Sequence, residues 1–294
     1  MSTPPFLTLP KVAVARSLET PRGSFAVHDA SPPAGTAVRG TALLVPGFTG
    51  SKEDFIALLQ PLAEAGYRVV AVDGRGQYES GGPRDESAYA LHELALDVVA
   101  QARALDGDGF PVHLLGHSLG GLIGRAAVLR DASPFVSLTI LSSGPAAIHH
   151  EQQARTRLLL EALSVYDQET VWRAMRDLDA ENGPRRDVPP EISDFLRARW
   201  LATVPEQLIA TGRHLVSEPD RVDELAAVDL PKHVVSGALD HAWPVPWMDE
   251  MALRLGARRR VIDGAEHSPN VERPAETARA LAGFWDEVAR EADR

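Results

Sequence analysis

A chain of 294 residues, 44% hydrophobic and 24% charged, has the size and composition of one large α/β domain with room for an inserted subdomain. Its net charge of −11 argues against a nucleic-acid surface, which needs clustered Lys and Arg. The absence of cysteine excludes disulfides, thiolate chemistry, Cys-based zinc sites and iron–sulfur clusters.

The opening stretch MSTPPFLTLP has no basic start and no long apolar run, so it does not read as a signal peptide. No apolar run anywhere approaches the length of a membrane span. The default expectation is a soluble cytoplasmic protein. Strand patterns come first at Lys11–Ser17 and Ser24–His28, separated by the turn signal Pro21-Arg22-Gly23. Thr41–Val45 is nearly all apolar, as a strand buried on both faces must be. A helix pattern runs from Ser51 to Ala65, with Ser51 as N-cap, Asp54 as a weak capping-box acid and Gly66 as stop. Tyr67–Val72 is the next buried strand, and Leu91–Leu105 a helix that ends before Asp106-Gly107-Asp108-Gly109. Then follow a strand at Val112–Leu115, a helix at Leu119–Arg130 and a strand at Val136–Leu141. This alternation predicts parallel βαβ units with helices on both faces of a mostly parallel sheet.

The rhythm breaks near Ala146. Residues 148–216 contain helix patterns interrupted at Asn182-Gly183-Pro184 and Pro189-Pro190, and no convincing buried strand. They read as a helical cap inserted into a core of residues 1–147 and 217–294. The core resumes with a strand at Lys232–Ser236, a helix at Trp247–Leu255, a strand at Arg258–Ile262 and a last helix from Pro274 to Ala292.

The segment with most chemical content is Gly116-His117-Ser118-Leu119-Gly120-Gly121. A bare G-x-S-x-G pattern is weak, but this one follows an expected strand and opens an expected helix, the setting of a nucleophile elbow. There the serine sits on a strained turn, and the flanking positions must be very small. The helix N-terminus behind Ser118 favours a developing negative charge. Serine needs a base. Among ten histidines, His113 lies on a strand, His117 sits in the elbow pointing elsewhere, and the neighbours His149-His150 fit a solvated cap entrance better than a metal site. His267 follows the last strand, on a loop that a parallel sheet brings to the same crevice as Ser118. Asp240, in Gly237-Ala238-Leu239-Asp240 after the preceding strand, is the carboxylate expected to orient it; Asp263 and Glu266 lie too near His267 in sequence. Two backbone amides complete the site as an oxyanion hole: Leu119, after the nucleophile, and Phe48, in the loop Pro46–Ser51.

The chain resembles the α/β-hydrolase superfamily, of the esterase- or lipase-like type with a helical cap, from about Gly40 to Ala289. The matching pieces are the loop Pro46–Ser51, Asp73-Gly74-Arg75-Gly76, the elbow Gly116–Gly121, the acid turn Gly237–Asp240, and His267 with Val271–Pro274. Two departures stand out. Relatives often have His-Gly where this chain has Pro46-Gly47, and Tyr78 stands where they carry a second glycine. A serine at the elbow argues against the epoxide hydrolases and haloalkane dehalogenases, which use aspartate.

The resemblance implies a serine hydrolase that transfers an acyl group to water, without cofactor or metal, on a small to medium and mainly apolar ester, lactone or thioester. Leu158, Leu159, Leu160, Leu163, Trp172, Trp200, Trp243 and Trp247 either line the acyl pocket or are plain core. Amide or carbon–carbon hydrolysis and perhydrolysis use the same triad. A ligand receptor of this fold is the rival from another class, and turnover separates it from an enzyme. Oligomeric state is not legible in the sequence.

Overall fold

Short apolar runs form the middle of the sheet because each is covered on both faces. The computed structural model describes residues 2–106, 112–181 and 188–292. Its strands are β1 (Ala13–Thr20), β2 (Gly23–Ala30), β3 (Gly40–Val45), β4 (Tyr67–Val72), β5 (Val112–His117), β6 (Phe135–Leu141), β7 (Lys232–Gly237) and β8 (Arg258–Ile262). They make one eight-stranded sheet in the order β1-β2-β4-β3-β5-β6-β7-β8. The β1–β2 and β2–β4 pairs are antiparallel and all later pairs parallel.

The helices are α1 (Ile56–Glu64), α2 (Leu91–Asp106), α3 (Leu119–Arg130), α4 (His150–Val165), α5 (Gln168–Glu181), α6 (Pro190–Ala202), α7 (Pro205–Ser217), α8 (Val222–Ala226), α9 (Val245–Leu255), α10 (Pro269–Glu272) and α11 (Pro274–Ala292). The period of two splits each strand between two apolar layers. Ala42, Leu44, Val69, Ala71, Leu115, Leu141 and Val235 pack with Leu59 of α1 and Leu281 and Trp285 of α11. Leu43, Val45, Val70, Val72, Leu114, Ile140 and Val234 pack with Val98 of α2, Leu122 of α3 and Met248 of α9. The fold is the expected α/β-hydrolase architecture.

Several boundaries move. The expected helix 51–65 divides into a tight turn, Lys52–Phe55, and α1. Ser51 does not cap it: the Lys52 amide donates to Asp73 Oδ1 at 2.7 Å, while the Ser51 hydroxyl donates to Glu53 Oε2. Asp54 is no capping acid either, because its carboxylate accepts from Arg199. Gly66 does end α1, at φ +94°, with its amide on Ala63 O. Pro189-Pro190, marked by the sequence as an interruption, opens α6, where a missing N–H costs nothing. The 182–184 break and residues 107–109 lie outside the described residues.

Between β6 and β7, α4 to α7 build an apolar cluster of their own from Leu163, Val171, Trp172, Ile192, Phe195, Leu196, Trp200 and Leu208. At the far end of the sheet β8 is an edge, with Arg258 and Arg260 exposed and Arg259 half-buried. Among the described residues no helix is long and apolar enough to cross a membrane.

Candidate active site

Strand order reverses at β3, which has β4 on one side and β5 on the other. Crevices open at such points beyond the carboxyl ends of strands. The loops after β3, β5, β7 and β8 meet there. Ser118 follows β5 directly and holds φ +55°, ψ −120°, a strained conformation for a residue with a Cβ. The glycines around it have steric causes. A methyl on Gly116 would lie 2.0 Å from Gly120 O, and one on Gly120 would lie 2.3 Å from Val45 O. The elbow is thus wedged between its own helix and the end of β3.

His267 and Asp240 reach Ser118 from the loops after β8 and β7. His267 Nε2 lies 3.0 Å from Ser118 Oγ, and His267 Nδ1 lies 2.8 Å from Asp240 Oδ2. A carboxylate only accepts, so Nδ1 carries the proton and Nε2 is left to accept from the serine hydroxyl. The other oxygen of Asp240 accepts from the Ala242 and Trp243 amides at 2.8 and 3.1 Å, which fixes the carboxylate plane. Trp243 stacks beside His267, with ring centroids 6.3 Å apart, and its Nε1 donates to Ala146 O.

The loop after β3 passes close over the serine: a methyl on Gly47 would sit 3.0 Å from Ser118 Cβ. Among the described residues neither the Phe48 nor the Leu119 amide donates a hydrogen bond. Beneath this loop lies a layer of charge. Lys52 Nζ meets Glu53, Asp73 and Glu79 carboxylates at 2.9, 3.0 and 2.6 Å and faces the Tyr78 ring. Burial pushes the Asp73 carboxyl up, against the pull of Lys52. Beside it, fully buried Arg199 of α6 pairs with Asp54 at 2.7 Å.

The other candidates fall on both sides of the expectation. His113 is buried against Ser137 Oγ at 2.8 Å. Asp263 and Glu266 are exposed. His149 and His150 lie against each other with ring centroids 4.1 Å apart and planes tilted by 46°, and Trp247 lies beside His149. Trp172, Trp200 and Leu163 belong to the interior of the helical body, whereas Leu160 lies against Gly212 of α7, next to Phe48. Among the described residues no group of three or more His, Cys, Asp or Glu side chains is arranged to hold a metal ion.

His117 is the residue that sequence reasoning passed over. Its Nε2–H donates to the backbone oxygen of His267 at 2.9 Å, so it ties the elbow to the loop that carries the imidazole. Burial pushes its own imidazole down to about 3, and His267 beside it acts the same way; it stays neutral. Nothing in the sequence separated it from an ordinary strand-end histidine, because its partner is 150 residues away.

A model of the alpha/beta hydrolase family matches residues 42–280. The chain belongs to this family. This α/β-hydrolase is 30% identical over 274 residues to RutD of Variovorax paradoxus, a carbamate hydrolase by name, covering 87% of this chain and 94% of that one. It is 28% identical over 242 residues to the pimeloyl-[acyl-carrier protein] methyl ester esterase of Aeromonas hydrophila, covering 76% and 87%. In fold it is similar to a thermophilic esterase from Thermogutta terrifontis, with TM-score 0.73, 22% identity and coverage of 94% and 100%. It is a hydrolase, and its relatives include esterases.

Proposed function

We propose that this α/β-hydrolase is a serine esterase working through an acyl-enzyme on Ser118. The observation that carries the reading is the unbroken chain Ser118 Oγ, His267 Nε2, His267 Nδ1, Asp240 Oδ2, with contacts of 3.0 and 2.8 Å. His267 takes the hydroxyl proton as Ser118 attacks the ester carbonyl. The oxyanion formed is held by the free Phe48 and Leu119 amides. The tetrahedral adduct collapses as His267 returns the proton to the leaving alcohol. A water then gives a proton to His267 as it attacks the acyl carbonyl, and the second adduct collapses as His267 passes that proton to Ser118 Oγ, releasing the acid and the free serine.

Phe48, Leu160 and Trp243 give the surroundings an apolar character, which fits a small to medium uncharged acyl group. The methyl ester esterase among the relatives supports an ester, and the carbamate hydrolase makes a carbamate the second bond to test. In this reading residues 148–216 are a cap over the entrance. A fluorophosphonate probe is expected to label Ser118. Ser118→Ala is expected to abolish labelling and to lower turnover on the order of a millionfold, as loss of the nucleophile does in another serine hydrolase. A panel of p-nitrophenyl esters of increasing acyl length, with a lactone, an amide and a carbamate, fixes the bond cleaved. Unchanged turnover by the alanine variant refutes the reading.

A further inference from the structure

We infer that Gln77 is a positioning residue for this chemistry: its side-chain amide locks the Gly47–Phe48 peptide so that the Phe48 N–H faces the reacting carbonyl oxygen. The inference rests on the proposed roles of Ser118 and Phe48. A peptide unit is planar, so the carbonyl of Gly47 and the N–H of Phe48 point in opposite directions from one rigid plate. Whatever holds that oxygen aims that N–H. Gly47 O accepts from Gln77 Nε2 at 2.9 Å and from the Gly50 amide at 3.1 Å, which uses both lone pairs.

The clamp is itself held. Gln77 Oε1 accepts from the Gly74 amide at 3.0 Å, and the Gln77 amide donates to Gly74 O at 2.9 Å. One end of the side chain needs an acceptor and the other a donor, so the amide group cannot flip. It is 4% exposed, so water does not compete for either bond. Gly74 gives it room: a methyl there would lie 2.7 Å from Gln77 Oε1. The next residue, Tyr78, is bent to φ +38°, and its amide lies 3.3 Å from Thr203 Oγ1. Gln77 is therefore a strut from the end of β4 to the loop after β3, set by a turn braced on α6's C-terminal end.

A fold-stabilising glutamine and a positioning one respond differently to substitution. Deleting one oxyanion donor outright costs about 10²–10³ in kcat in another serine hydrolase. Gln77→Ala loosens the donor without removing it, so a fall in kcat of about 10- to 100-fold is expected, with KM changed less than about 2-fold. Affinity for a trifluoromethyl ketone, which forms a tetrahedral adduct on serine, is expected to fall by the same factor as kcat/KM. Gln77→Glu supplies the sharper test. As a carboxylate it presents a second acceptor to Gly47 O; protonated, it donates again. The ratio of Gln77→Glu activity to wild-type activity is expected to rise as pH falls. Wild-type kcat in Gln77→Ala, or analogue affinity unchanged, or a Gln77→Glu ratio flat with pH, overturns the inference while Ser118→Ala remains dead. Turnover by Ser118→Ala overturns the proposed function itself.

Discussion

Replacing Asp240 by asparagine separates geometry from charge at one position. The side-chain oxygen that accepts from the Ala242 and Trp243 amides sits in a site where only an acceptor fits. Asparagine must therefore keep its oxygen there and turn its NH₂ toward His267 Nδ1, 2.8 Å away. Two donors then face each other unless the imidazole moves its proton to Nε2. With that proton on Nε2, His267 can no longer accept from Ser118 Oγ at 3.0 Å, and the base is lost without any atom being displaced. In trypsin-like proteases the same change costs about ten-thousandfold in kcat, or about 5.5 kcal/mol of barrier. A comparable loss is expected here in kcat for p-nitrophenyl acetate or butyrate, with fluorophosphonate labelling of Ser118 slowed in parallel. Asp263→Asn and Glu266→Gln, at exposed positions, are expected to stay near wild type. Asp240→Asn with more than about a tenth of wild-type kcat, in a preparation where Ser118→Ala is inactive, refutes the assignment of the acid, since that leaves under about 1.4 kcal/mol for the contact.

Other perturbations test what holds the site in place. Arg199→Ala strands a fully buried Asp54 carboxylate, a change that typically costs about 3–5 kcal/mol, so a clear fall in thermal midpoint is expected. Arg199→Met with Asp54→Leu is expected to regain most of it, and two additive losses in that cycle would show the pair to be uncoupled. Burial holds His113, His117 and His233 down to about 3. Their folded values lie below the unfolded value of about 6.5, so the unfolded chain binds more protons between the two and stability falls as pH falls through that window. Each histidine adds a slope of up to about 1.4 kcal/mol per pH unit. Thermal midpoints measured from pH 7 to 4 are expected to drop, and His113→Phe to flatten the slope by up to about 1.4 kcal/mol per pH unit. Equal slopes would contradict the argument.

The core and the candidate triad were legible because they rest on local signals. Strands β3, β4 and β5 are mostly apolar runs, broken only by Thr41, Arg68, His113 and His117, and the elbow glycines lie within five residues of one another. Register and rhythm carry that information along the chain. What was not legible depends on partners far away in sequence. Ser51 looked like a helix cap, yet the Lys52 amide is claimed by Asp73, 21 residues on. Tyr78 looked like a defect in a glycine pattern, yet it brings an aromatic edge onto Phe195, with ring centroids 5.5 Å apart. For Trp172 and Trp200 the sequence left pocket wall and plain core equally open, and they pack inside the helical body. No periodicity distinguishes a leucine facing a ligand from one facing a neighbouring helix.

The row Arg258-Arg259-Arg260 on the last strand bears on how the molecule behaves in a crowd of its own kind. An open sheet ends in unsatisfied amides and carbonyls that a further strand can match. A second copy arriving antiparallel on β8 would set arginine across from arginine, where like charges directly opposite one another repel. Removing those charges while keeping the strand, as in Arg258→Thr with Arg260→Thr, would leave a bare ladder ready for a neighbour. Although Arg258 and Arg259 also pair with Glu287 and Asp249, arginine at three successive edge positions disfavours edge-to-edge pairing of two copies, at the end of β8 remote from His267.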